Sequence, residues 1–206
     1  MSVLKSIFGP SKEEIWTQIA HEIGGEFGDR GLCKAYGVAV KYKEWTIFLD
    51  SFANNNGPNG NTVYTRIRAP FVNKDGLYFK IYRENFFSSI SKLFGMQDIQ
   101  VGDPYFDNEF IIKGNSEEKI QKLLKSDKLK ELIRSIPRIH FEVKDDDFKL
   151  FKKSFPEGVD MLYFTCVGTV KDKATLRNLF LLFSVVLERL VQIDSAYEND
   201  PMVELT

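Results

Sequence analysis

Residues 62–83 read T-V-Y-T-R-I-R-A-P-F-V-N-K-D-G-L-Y-F-K-I-Y-R, and the fold turns on how that stretch divides. Val63, Thr65, Ile67 and Ala69 alternate with Tyr64, Arg66 and Arg68. After Asn73-Lys74-Asp75-Gly76, Leu77, Phe79 and Ile81 alternate with Tyr78, Lys80 and Tyr82. Period-two runs separated by a turn-forming composition predict strands near 62–70 and 77–83. Upstream, the same alternation predicts strands near 33–40 and 44–52, with Trp45, Ile47 and Leu49 on one face. The connections Tyr42-Lys43, Asn54 to Asn61 and Asn73 to Gly76 then predict a four-strand antiparallel meander.

Working outward, Pro10-Ser11 with Glu14 three residues on is a capping-box pattern. Ile15, Ile19 and Ile23 carry that helix to Gly24-Gly25. On the other side, Phe86, Phe87, Ile90 and Phe94 predict a short amphipathic helix over 85–94, and a strand follows at 106–113. Asn115 and Glu118 repeat the capping signature. The stripe from Ile120 to Ile136 is helical, with a break at Ser126-Asp127. Ile139, Phe141 and Val143 mark a strand, Asp145-Asp146-Asp147 a turn, Phe148 to Phe155 a less regular strand and Pro156-Glu157-Gly158 another turn. Met161 to Val170 is a further strand, and a long helix capped by Asp172 or Thr175 runs to about Tyr197. The order predicts an α+β protein with antiparallel meanders in two halves and helices packed on the sheets. Residues 1–206 form a single domain on this reading, with two subdomains (1–95 and 96–206) as the alternative. A diverged duplication and generic α+β layering both account for the similar halves.

With 206 residues, 43% hydrophobic and including 18 Phe, the chain has ample core material, which excludes a disordered reading. A formal charge of −1 exerts no global pull on nucleic acid or acidic lipid. Charge is nonetheless uneven. Residues 61–95 hold six basic side chains against two acidic ones, and 96–118 hold six acids against Lys113. Such blocks pair within a fold or across a dimer. Cys33 and Cys166 sit far apart in apolar, strand-like settings and read as free thiols in a reducing, cytoplasmic compartment. The longest apolar run, Leu179 to Leu187, is far short of the ~20 residues a membrane span needs.

Residues 103–136 include D-P-Y-F-D-N-E-F-I-I-K-G-N-S-E-E-K-I-Q-K-L-L and, after residues 125–128, L-K-E-L-I-R-S-I. Phe106, Phe110, Leu123, Leu124, Leu132 and Ile133 resemble an F-x-x-x-F strand, polar turn and L-L helix shared by a family of bacterial proteins of unknown function. Many members of that family carry transmembrane helices before this domain, whereas none is expected in this chain. The resemblance implies a fold and no mechanism.

The chemistry is sparse. His21 and His140 lack partners at zinc-ligand spacing. No G-x-S-x-G elbow, P-loop or dinucleotide fingerprint occurs, so no cofactor is expected. Glu142 with Asp145, Asp146 and Asp147 is one carboxylate group that could hold a hard cation. Asp98, Asp103, Asp107 and Glu109 form a second, which could line a cleft or pair with the basic strands. Tyr64, Arg66, Arg68, Tyr78, Lys80 and Tyr82 fall on one face of two strands expected to be neighbours. Aromatic rings among cations suit single-stranded nucleic acid, but the absence of net basic charge argues against it and favours a protein partner. The last helix is apolar on too many sides for a one-faced helix, so it is buried between layers or completes a homo-oligomer. The expectation is a non-enzymatic binding or accessory domain. The alternatives are a carboxylate-dependent metal enzyme acting on phosphate esters and a nucleic-acid module.

Overall fold

Alternating side chains build strands here, and pairing joins all of them into one sheet. The computed structural model describes residues 9–29, 36–55, 60–83, 97–144, 155–203 and 205. Among these, nine strands alternate with five helices: α1 (Lys12–Glu22), β1 (Glu26–Asp29), β2 (Tyr36–Tyr42), β3 (Trp45–Asn55), β4 (Asn61–Val72), β5 (Phe79–Arg83), β6 (Gln97–Asp98), α2 (Pro104–Glu109), β7 (Phe110–Gly114), α3 (Glu117–Leu124), α4 (Asp127–Ser135), β8 (His140–Lys144), β9 (Val159–Val167) and α5 (Lys173–Gln192). The sheet order is β1-β2-β3-β4-β9-β8-β5-β7-β6, and every pairing is antiparallel. The α+β class holds.

The four-strand meander exists, but its members differ from those expected. β1, a short strand after Gly24-Gly25, begins it, and β5 leaves it: β9 and β8 stand between β4 and β5. The Asn73–Gly76 segment does turn the chain, with Asn73 accepting from the Leu77 amide. It connects strands that do not pair.

Helix starts follow cap chemistry. Ser11 and Glu14 form a complete capping box on α1, and Ser126 and Asp172 cap α4 and α5. The strand expected at 106–113 begins instead as α2. Asp103 caps the Phe106 amide and Pro104 occupies the first turn, which favours helix until Phe110. Asn115 caps no helix. Its amide binds the Tyr78 N–H and the Gly76 carbonyl, leaving Ser116 at the N-cap of α3. The last helix ends at Gln192 rather than near Tyr197. The helix expected at 85–94, the Asp145–Asp147 turn and residues 148–154 of the less regular strand lie outside the described residues.

One sheet face and the helices share a single apolar core. Val38, Ile47, Leu49, Ile67, Phe71, Phe79, Phe141 and Phe164 join Trp16 and Ile19 of α1, Leu129 of α4, and Leu179, Phe183 and Leu187 of α5. The many-sided apolar helix is thus buried within the chain: α5 contacts α1, α3, α4 and β4. No described helix is long and apolar enough to cross a membrane.

Candidate functional site on the charged face of the sheet

Directly paired residues of antiparallel strands lie on one face, so the register can be followed across the sheet. Glu26, Ala39, Phe48, Arg68, Tyr163, Glu142, Lys80, Lys113 and Asp98 are successive cross-strand partners, one from each of the nine strands. The residues of this row stay out of the helix-side core cluster. It is charged, aromatic and, at its centre, buried: Arg68 is 2%, Glu142 7% and Lys80 8% exposed.

Two ion-pair centres sit on this face. In the first, Arg66 donates to both Asp50 oxygens, at 2.7 Å from Nε and 2.5 Å from Nη2, while Arg68 Nη2 donates at 2.7 Å. Asp50 is itself only 1% exposed. Arg66 also lies over the Phe52 ring and Arg68 over Phe48. Burial pushes the Arg68 guanidinium down to about 10, with Asp50 opposing the shift and Arg66 adding to it. Burial acts on Arg66 in the same direction, but the paired bonds to Asp50 outweigh it and raise the group.

In the second centre, Glu142 receives Lys80 at 3.1 Å and Lys144 at 3.2 Å, with His140 Nε2 at 3.6 Å. Burial alone would raise the Glu142 carboxyl, yet Lys144, His140 and Lys80 together hold it below the usual range. His140 is pushed down, because loss of solvent outweighs the attraction of Glu142. Tyr163 bridges the two centres in the register, with Lys144 3.9 Å above its ring.

The six residues of the expected basic–aromatic surface are therefore distributed differently. Tyr64, Arg66, Arg68, Lys80 and Tyr82 do share this face, but β9 and β8 separate the two strands. Arg68, Lys80 and Tyr82 are buried. Tyr78 precedes β5, packs against the helix-side core and donates to Asp160 at 3.2 Å. The feature missed from sequence is the acidic and aromatic filling between the strands, Tyr163 and Glu142. The signal was present: placing Arg66 and Arg68 beside Lys80 would set like charges opposite one another.

The second carboxylate group is occupied by the fold. Asp103 caps α2 and takes Lys130 at 2.8 Å. Asp107 accepts the Val101 and Gly102 amides. Glu109 lies between Arg83 and Arg134, and Asp98 pairs with Lys113. The partners come mostly from α4 and β7, with Arg83 alone supplied by the basic strands. No three described His, Cys, Asp or Glu side chains are placed to hold a metal ion, while Asp145, Asp146 and Asp147 lie outside the described residues. The Cys166 thiol is buried, which pushes it up to about 11.

One end of the sheet has a different character. Residues 51–65, S-F-A-N-N-N-G-P-N-G-N-T-V-Y-T, contain no ionisable acid or base other than Tyr64. Their described parts form the outer half of the β3–β4 hairpin. Ala53 pairs with Val63 and Phe52 with Tyr64, whose rings stack at 5.2 Å. Val63 and Val167 are 42% and 53% exposed, and Tyr36, at the same end of the sheet, is 51% exposed.

No family model matches the chain, and no curated protein matches it. Among solved structures it is similar to the crystal structure of the mycobacterial trehalose monomycolate transport factor A, TtfA. The identity is 6%, the TM-score 0.53, and the alignment covers 94% of this chain and 98% of that one. At that identity the likeness concerns the fold alone.

Proposed function

We propose that this chain is a non-enzymatic accessory domain that engages another protein or its own copy through the hairpin end of its sheet. The observation that carries the reading is the division of labour between surfaces. Arg66, Arg68, Lys80, Asp50, Glu142, Asp103 and Asp107 are engaged inside the fold by ion pairs or backbone hydrogen bonds. Tyr36 and Val63, on the helix side of the sheet, and Val167, on the charged side, are exposed at one end. Exposed apolar side chains around one end of a sheet favour a protein contact there. The metal-enzyme alternative loses support from the commitment of Asp103 and Asp107 to the α2 cap and its preceding loop.

The test is photo-crosslinking in the protein's own cells. A photoreactive residue replaces Val167 in one strain and Lys128 on α4 in another. The reading expects a discrete protein adduct from position 167 and none from 128. Adducts from neither position, or equal adducts from both, would overturn it.

A further inference from the structure

We propose that residues 197–203, beyond α5, are an ionic strap: a segment closed over the β2–β3 turn by charge and opened by ionic strength while the sheet stays folded. The chain leaves α5 through a fixed cap. Asp194, at φ 60°, and Ser195 donate their amides back to the Val191 and Leu190 carbonyls, and Ser195 and Ala196 are buried. Past that point the attachment changes character. Of residues 197–202, Pro201 alone is buried, and the Tyr197 amide donates to the Val72 carbonyl at 3.2 Å. Lysines supply the other holds. Lys43 meets Glu198 at 3.0 Å, Lys41 meets Asp200 at 3.5 Å, and the Lys74 ammonium lies 5.4 Å from the centre of the Tyr197 ring.

Each of these lysines has a second partner that stays with the body of the fold. Lys43 also pairs with Glu188 of α5 at 3.1 Å, Lys41 donates to the Glu44 carbonyl at 2.8 Å, and Lys74 pairs with Asp194 inside the cap. Opening the strap therefore strands no ammonium group, and a stranded charge is what makes the loss of an ion pair costly. It frees the Val72 carbonyl and one side of Lys41 and Lys43. Both strap ion pairs are exposed, so salt weakens them: the Debye length falls from about 30 Å at 0.01 M to about 3 Å at 1 M. The apolar packing of α5 does not depend on such screening.

Hydrogen exchange of the full chain, resolved at single amides by NMR, tests this. Raising NaCl from about 10 mM to about 1 M should lower the protection of the Tyr197 amide about three- to tenfold, and leave that of Ile67, in the core, within about twofold. A Glu198→Gln, Asp200→Asn variant should melt as wild type does and show the low Tyr197 value at both salt concentrations. Tyr197 protection that is insensitive to salt would overturn the inference, as would a variant protected like wild type. Loss of protection at Tyr197 and Ile67 together would overturn it too, because the segment would then open only with the whole fold.

Discussion

Replacing Asp50 by Ala removes the carboxylate that two buried guanidinium groups share. Asp50 accepts three hydrogen bonds, two from Arg66 and one from Arg68. Both arginines are largely withdrawn from water. Breaking a buried pair by removing one side costs about 3–5 kcal/mol, because the remaining charge is left desolvated. For a domain of this length, ~1 kcal/mol lowers Tm by about 2–4 °C, so Asp50→Ala should melt roughly 6–20 °C below wild type. The assay is urea unfolding followed by circular dichroism, with a thermal melt alongside. The same change made in an Arg66→Met, Arg68→Met background should cost less than about 1 kcal/mol, because no guanidinium remains to be stranded. If Asp50→Ala alone costs less than about 1 kcal/mol, the arginines are solvated and the account of a buried structural face is wrong.

Other expectations follow from the same geometry. Glu142 has a depressed carboxyl, so its contribution is present above about pH 4.5, the ordinary value, and is lost as pH falls through its lowered folded value. Glu142→Gln should therefore flatten the acid limb of a stability-versus-pH curve. His140 is also depressed, so below about pH 6.5 the unfolded chain takes its proton first and folding weakens. His140→Gln should remove that part of the slope between neutral pH and the carboxylate range. A Cβ at Gly114 would meet the Ile120 side chain and lie 2.9 Å from the Tyr78 carbonyl, so Gly114→Ala should cost about 1–3 kcal/mol in urea unfolding. In a Cys33→Ser background, Cys166 should resist a thiol reagent until the protein unfolds, because burial disfavours its thiolate.

The strands were largely legible because each alternates on its own, as Val63 to Ala69 and Leu77 to Tyr82 do. Their neighbours were not. A turn composition such as Asn73–Gly76 dictates a change of direction, whereas pairing is decided by side chains far along the chain. Here β9 and β8 enter between β4 and β5 with Tyr163 and Glu142, which separates Arg68 from Lys80. α2 was misread because Phe106 and Phe110 suit either a strand or a helix at that spacing, and the Asp103–Pro104 cap decides between them. Apart from Tyr78, the residues expected on one face do share it, but burial depends on what packs above them and periodicity carries no record of that. The uncharged hairpin, by contrast, is visible in the sequence alone, its arms falling in the strands expected at 44–52 and 62–70 and its tip in the Asn54–Asn61 connection.

The central claim, that charges on this face hold the sheet together, is tested most directly by a double-mutant cycle between Lys80 and Glu142. Lys80→Met, Glu142→Gln and the pair together would each be measured by urea unfolding near neutral pH. The account predicts a coupling of about 1–3 kcal/mol, with the double variant more stable than the sum of the single losses. Additive losses within ~0.5 kcal/mol would contradict it, and would return these side chains to the set available for a ligand.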